Sequence, residues 1–78
     1  MDNKESLIPL KIAVMTVSDT RTEADDKSGK ILVDSLTTVG HELAEKVIVP
    51  DDIYQIRAVI SRWIADDFFQ VILTTGGT

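Results

Sequence analysis

The sequence predicts an α/β domain in three layers: a parallel sheet built as β-α-β-α-β, strand order 2-1-3, with helices on both faces. Three observations lead there. Residues 12–17 and 71–73 are short, nearly continuous apolar runs, the pattern of strands buried on both faces of a parallel sheet. Two longer stretches between them repeat apolar residues at helical spacing. Polar or glycine punctuation follows the runs. Strands and helices of these lengths make two linked βαβ units, whose crossovers are right-handed. The loops after the first and third strands can share one crevice only if the first strand is central, which gives the order 2-1-3 and sends the helices to opposite faces.

Residues 1–10 read as a flexible N-terminal arm and 11–78 as the domain. The first strand stops at Ser18-Asp19, and the polar stretch 20–27 has no apolar periodicity and reads as a long loop. The first helix spans about 28–39, with Ile31, Leu32, Leu36 and Val39 on one face and Gly40 at the left-handed stop. From Glu42 the pattern alternates, with Leu43, Val47 and Val49 on one side and Glu42, Ala44 and Lys46 on the other, as in a half-exposed strand ended by Pro50. Asp51 and Asp52 precede a second helix ending near Ala65, whose stripe is Ile53, Ile56, Ile60, Trp63 and Ile64. The third strand, 71–73, feeds a tight turn, Thr74-Thr75-Gly76-Gly77-Thr78.

A chain of 78 residues holds one domain, and one this small hides only about 60 to 68% of the surface its unfolded form exposes. Its 44% hydrophobic and 27% charged residues are those of an ordinary globular domain. A net charge of −5 argues against a nucleic-acid partner, which needs clustered Lys and Arg. With no cysteine there is no disulfide or thiolate chemistry, which fits a reducing compartment. The polar opening lacks the apolar stretch of a signal peptide, and no run approaches the ~20 apolar residues of a membrane helix. A cytoplasmic protein without membrane contact is the expectation.

Ligands of an open parallel sheet bind beyond the carboxyl ends of its strands, where connections diverge. That rule selects Ser18 and Asp19 after the first strand, Asp51 after the second, and Thr75, Gly76, Gly77 and Thr78 after the third. The Gly-Gly pair lets an anion approach backbone N–H groups because no Cβ intervenes, and threonine hydroxyls add donors; the same pair also makes an ordinary turn. Asp51 has two compatible readings: a helix N-cap worth roughly 1 kcal/mol, and a carboxylate facing a metal-bound phosphate. Ser18 and Asp19 either bind ligand or form a turn. Asp25 and Asp26 belong to a solvated loop or to the helix start, with Ser28 competing for the cap. Arg21 either grips a phosphate or stands in solvent. His41 has no second histidine or cysteine to share a metal with and reads as structural; Trp63 reads as core. A dinucleotide fold and a P-loop are disfavoured because neither G-x-G-x-x-G nor G-x-x-x-x-G-K-[ST] occurs. A receiver domain fails too, since threonines and glycines stand where its aspartate would end the third strand.

Four segments in this order and spacing, Thr16-Val17-Ser18-Asp19, Asp26-Lys27-Ser28-Gly29, Val49-Pro50-Asp51-Asp52 and Leu73-Thr74-Thr75-Gly76-Gly77-Thr78, resemble the MoaB/MogA family of molybdenum cofactor biosynthesis. The likeness runs from about Pro9 to Thr78, and Tyr54-Gln55-Ile56-Arg57-Ala58 looks closer to the B-type branch. The resemblance implies a magnesium-dependent adenylyl transfer, in which molybdopterin attacks the α-phosphate of ATP, pyrophosphate leaves, and the product later accepts molybdate or tungstate. It implies that Asp51 is catalytic and holds the metal, that Ser18, Asp19, Thr75, Gly76, Gly77 and Thr78 bind the substrates, and that the full-length protein is a homo-oligomer, a trimer or hexamer. These residue types suit phosphoryl-type transfer, which rests on positioning and charge stabilisation rather than on a protein nucleophile.

Members of that family continue past the glycine loop with an acidic segment and further strands and helices, so the 78 residues correspond to the N-terminal half of the domain. By itself such a half is expected to bind nucleotide weakly, to transfer no adenylyl group and to associate through the open edge of its third strand. Two other functions fit the residues: a B-type protein that binds pterin or nucleotide without reaction, and a small interaction module with no ligand.

Overall fold

The first strand, β1 (Lys11–Val17), gives neither face to solvent: residues 12–16 are all buried. In the computed structural model, which describes residues 8–76, it is followed by a 3-10 turn (Glu23–Asp25), helix α1 (Lys27–Val39), strand β2 (Glu42–Val49), helix α2 (Ile53–Ala65) and strand β3 (Val71–Gly76). The sheet order is β2-β1-β3 and both pairings are parallel. Because successive side chains of a strand point to opposite faces, β1 feeds two cores. Ile12 and Val14 meet Leu36 of α1 on one face, and Ala13 and Met15 meet Trp63 of α2 on the other. The helices therefore cover opposite faces, as the 2-1-3 order requires.

Each helix starts and stops for a local reason. Asp26 caps α1 by accepting from the Gly29 N–H, and Gly40 ends it at φ 115°, where the His41 N–H returns to the Leu36 carbonyl at 2.9 Å. Asp52 caps α2 by accepting from the Tyr54 N–H at 2.9 Å. His41 is structural: its Nδ1 accepts from the Leu10 N–H at 3.0 Å, tying the entry of β1 to the start of β2. No helix among the described residues is long and apolar enough to cross a membrane.

The buried stripes differ from those read off the sequence. On α1 the packed residues are Leu32, Val33 and Leu36, while Ile31 is 63% exposed and Val39 also faces outward. On α2 they are Ile56, Val59, Ile60 and Trp63, while Ile53 and Ile64 lie outside. The sheet-facing arc runs from Leu32 through Leu36 to Val33 on α1 and from Ile60 through Trp63 to Val59 on α2, and apolar residues beyond those arcs face solvent. In β2 a register shift opposite Ile12 and Ala13, whose partners are Leu43 and Glu45, inserts Ala44 as an extra residue. Leu43 is thereby put out of step with Val47 and Val49, which partner Met15 and Val17. The third strand is longer than expected: Thr74, Thr75 and Gly76 continue the ladder opposite Met15, Thr16 and Val17. Gly77 and Thr78, and residues 1–7 of the arm, lie outside the described residues.

Trp63 is fully buried, stacks obliquely on Phe69 at 5.8 Å and donates its indole N–H to Glu45 Oε1 at 3.1 Å. Trp63→Ala is expected to destabilise the fold by about 3–5 kcal/mol, the usual cost of emptying so large a buried site. Urea unfolding followed by circular dichroism checks it; a loss below 1 kcal/mol would contradict this packing.

Candidate functional site

The carboxyl ends of the strands meet at one place, because Val17 of β1 partners both Val49 of β2 and Gly76 of β3. There an open cavity of about 340 Å³ is lined by Ser18, Asp19, Thr20 and Arg21 from the first loop, Asp51 from the second and Gly76 from the third strand. This is the divergence point of the two crossovers. Gly76 has φ +86°, and a Cβ there would run into the Val17 carbonyl oxygen, so the close approach of β3 to the end of β1 requires glycine.

The first loop is tied down by its own polar groups. The Ser18 N–H donates to the Val49 carbonyl at 2.8 Å, extending the ladder by one residue. Ser18 Oγ accepts from the Thr20 and Arg21 N–H groups at 3.2 and 3.1 Å, and Asp19 Oδ1 accepts from the Asp51 N–H at 2.9 Å. Ser18 and Asp19 thus serve as turn formers while lining the cavity. The hydroxyl hydrogen of Ser18 and the second oxygen of Asp19 remain for other partners.

Asp51 does not cap α2; its neighbour does. Asp52 supplies the accepting oxygen and the first helical carbonyl, to the Ile56 N–H at 3.0 Å, which leaves Asp51 outside the helix. Asp51 is exposed on the cavity rim, and no described residue bonds its carboxylate. Of the residues expected in the glycine loop, Gly76 reaches the cavity, Thr75 sits half-buried in β3 opposite Thr16, and Gly77 and Thr78 lie outside the described residues.

Bonded to the cavity-lining Thr16 is a carboxylate whose burial the sequence reading did not foresee, although it does start α1. Asp26, read as loop or helix start, is only 3% exposed. Its Oδ2 accepts from the buried Thr16 hydroxyl at 2.7 Å and from Lys46 Nζ at 2.9 Å, and its Oδ1 from the Gly29 N–H at 3.1 Å. Burial pushes the carboxyl up, but the hydrogen bonds from Lys46, Thr16 and Gly29 and the charge of Lys46 outweigh it, so Asp26 titrates below its ordinary range. Gly29 has no room for a side chain, since a Cβ would collide with Asp26 Oδ2. The signal was present: a threonine inside a fully buried strand needs a partner, and an Asp-x-x-Gly start offers one. On the opposite face of the sheet, beside Lys46 in sequence, Glu45 forms a two-point pair with Arg62, at 2.7 and 3.1 Å. That pairing, against burial and with help from Trp63, holds Glu45 below its usual range.

Residues 13–78 match the sequence pattern of the family described as "Probable molybdopterin binding domain". The chain belongs to that family. It is 52% identical over 71 residues to Molybdenum cofactor biosynthesis protein B of Escherichia coli (strain K12), covering 91% of this chain and 42% of that protein. To the protein of the same name in Bacillus cereus it is 36% identical over 75 residues, covering 96% and 44%. A solved structure, "Crystal structure of Molybdenum cofactor biosynthesis protein B", superposes with a TM-score of 0.86 at 37% identity, over 91% of this chain and 44% of that one. The chain thus spans less than half the length of the relatives it matches. The family and the β2-β1-β3 fold agree with what the sequence motifs implied.

Proposed function

We propose that the chain serves molybdenum cofactor biosynthesis in the cytoplasm, within a homo-oligomer, as the part of a molybdopterin-binding protein where adenylyl transfer from ATP to molybdopterin is carried out. The observation that carries this reading is Asp51: a carboxylate relieved of capping by Asp52, standing beside Asp19 and bare Gly76 at the carboxyl ends of three parallel strands.

An oxygen of molybdopterin forms a bond to the α-phosphorus of ATP, and the bond from that phosphorus to the bridging oxygen breaks as pyrophosphate leaves. The chain's part is to hold the reacting groups in line and to limit repulsion between anions. Gly76 offers a backbone that phosphate oxygens can approach, Ser18 offers a hydroxyl donor, and the family resemblance assigns Thr75, Gly77 and Thr78 to the same substrate-binding loop. Magnesium is ordinarily held by one or two carboxylates together with substrate phosphates rather than by an all-protein cage. The donor set fits that habit: Asp19 and Asp51 adjoin, Asp19 Oδ1 accepting from the Asp51 N–H at 2.9 Å. Asp19 and Asp51 would hold the ion, which supplies neutralising charge to the phosphates when bound.

Incubating the full-length protein with molybdopterin, ATP and magnesium tests the reading. The expected result is adenylylated molybdopterin and pyrophosphate in equal amounts. Binding of both substrates without product would leave a binding protein, and binding of neither would remove the site.

A further inference from the structure

The lining of the cavity is uneven in charge. Asp19 and Asp51 are acidic, and Arg21 is the cationic residue lining the same cavity. The backbone of Arg21 is fixed on both sides: its N–H donates to Ser18 Oγ at 3.1 Å, and the next residue's N–H, of Thr22, donates to Asp25 Oδ1 at 2.7 Å. Its guanidinium lies 4.0 Å from Asp26 Oδ1, with the side chain 43% exposed. At that separation the two attract without a hydrogen bond, so the guanidinium donors stay available. Asp26 does not consume the charge of Arg21 either. Lys46 at 2.9 Å, the Thr16 hydroxyl and the Gly29 N–H already satisfy it. The same arginine borders an adjoining groove with Lys27 and Ser28, so its fork stands on the ridge between two concavities.

A planar, permanently charged fork matches phosphate oxygens in two parallel hydrogen bonds. We propose that Arg21 binds a phosphate oxyanion of the substrate at the cavity mouth, and that the buried Asp26 is the positioning residue that aims it. The inference rests on the phosphate-transfer reading above and deepens it by naming the cation that receives the phosphate. That phosphate belongs either to the triphosphate of ATP or to a phosphate group on the second substrate.

Calorimetric titration of the full-length protein with Mg-ATP, and separately with inorganic phosphate without magnesium, tests both parts. Arg21→Ala is expected to weaken binding about 10- to 100-fold, the effect of losing hydrogen bonds to a charged group. Arg21→Lys should recover only part of it, because charge returns without the fork. A loss with Mg-ATP assigns the triphosphate; a loss with inorganic phosphate while Mg-ATP binds as in wild type assigns the other substrate. Asp26→Asn should weaken binding in the wild-type background and add nothing in an Arg21→Ala background, since a positioning residue acts through the residue it positions. A loss of equal size in both backgrounds would overturn the role of Asp26. Arg21 is exposed and reports on its own role even if Asp26→Asn loosens the fold. Unchanged affinity for both probes in Arg21→Ala would overturn the inference while the proposed function stands; wild-type protein that binds neither probe would overturn both.

Discussion

In the full-length protein Asp51→Ala is expected to reduce the proposed adenylyl transfer by about 100-fold or more, the scale on which preorganised charge stabilisation is lost when one group is removed. Stability should move by no more than about 0.5 kcal/mol, because the side chain is exposed and bonds no described residue. Asp52→Ala should do the reverse. It removes the acceptor of the Tyr54 N–H, costing roughly 0.5–2 kcal/mol, and leaves turnover close to wild type. Two adjacent aspartates with opposite phenotypes would be hard to obtain unless one caps and the other works in the cavity. Measuring kcat alongside the urea midpoint for both variants decides it: a wild-type rate in Asp51→Ala would remove that residue from the mechanism.

Asp26→Ala should cost about 3–5 kcal/mol, the range for removing one partner of a buried charge pair. Removing the carboxylate withdraws this acceptor from two buried groups, the Thr16 hydroxyl and the Gly29 N–H, and takes away the bond from the part-buried Lys46 ammonium. A chain of this length has a total stability of roughly 4–12 kcal/mol, so the variant would sit near the edge of unfolding. The pH dependence has a definite sign. The folded carboxyl titrates below its unfolded value of 3.8, so its contribution is complete above that pH and is lost as pH falls through the folded value. Glu45, lowered from 4.5 by Arg62, acts in the same direction. Wild-type protein should therefore lose stability as pH drops from 5 towards 2, and Asp26→Asn should flatten that slope. Urea midpoints across the range check it, and an unchanged slope in Asp26→Asn would contradict the pair.

Most of the fold was legible because β1 leaves little choice. Five consecutive buried residues cannot form an exposed strand, and once β1 is central the helices must take opposite faces. The position of the cavity was legible for the same reason, since topology alone places the ends of β1, β2 and β3 together. What sequence did not resolve was which polar residue takes which local role. Asp51 and Asp52 are chemically identical and adjacent, and only backbone conformation chooses the cap, through the extended φ/ψ of Asp52. Asp25 and Asp26 pose the same problem: Asp25 binds the Thr22 N–H at the surface while Asp26 turns inward to Thr16 and Lys46. The β2 bulge was invisible because an inserted Ala44 changes parity without changing composition. Outer helix residues such as Ile64, 70% exposed, could not be separated from core by periodicity alone.

The central claim, that the strand ends and the loops after them form a phosphate-transfer site, is tested most directly by backbone amide NMR of the full-length protein during titration with Mg-ATP. The account predicts saturable shifts concentrated at Ser18, Asp19, Thr20, Arg21, Asp51 and Gly76, with the outward faces of α1 and α2 unmoved. Shifts centred on those helix faces, or no saturable shifts at all, would contradict it.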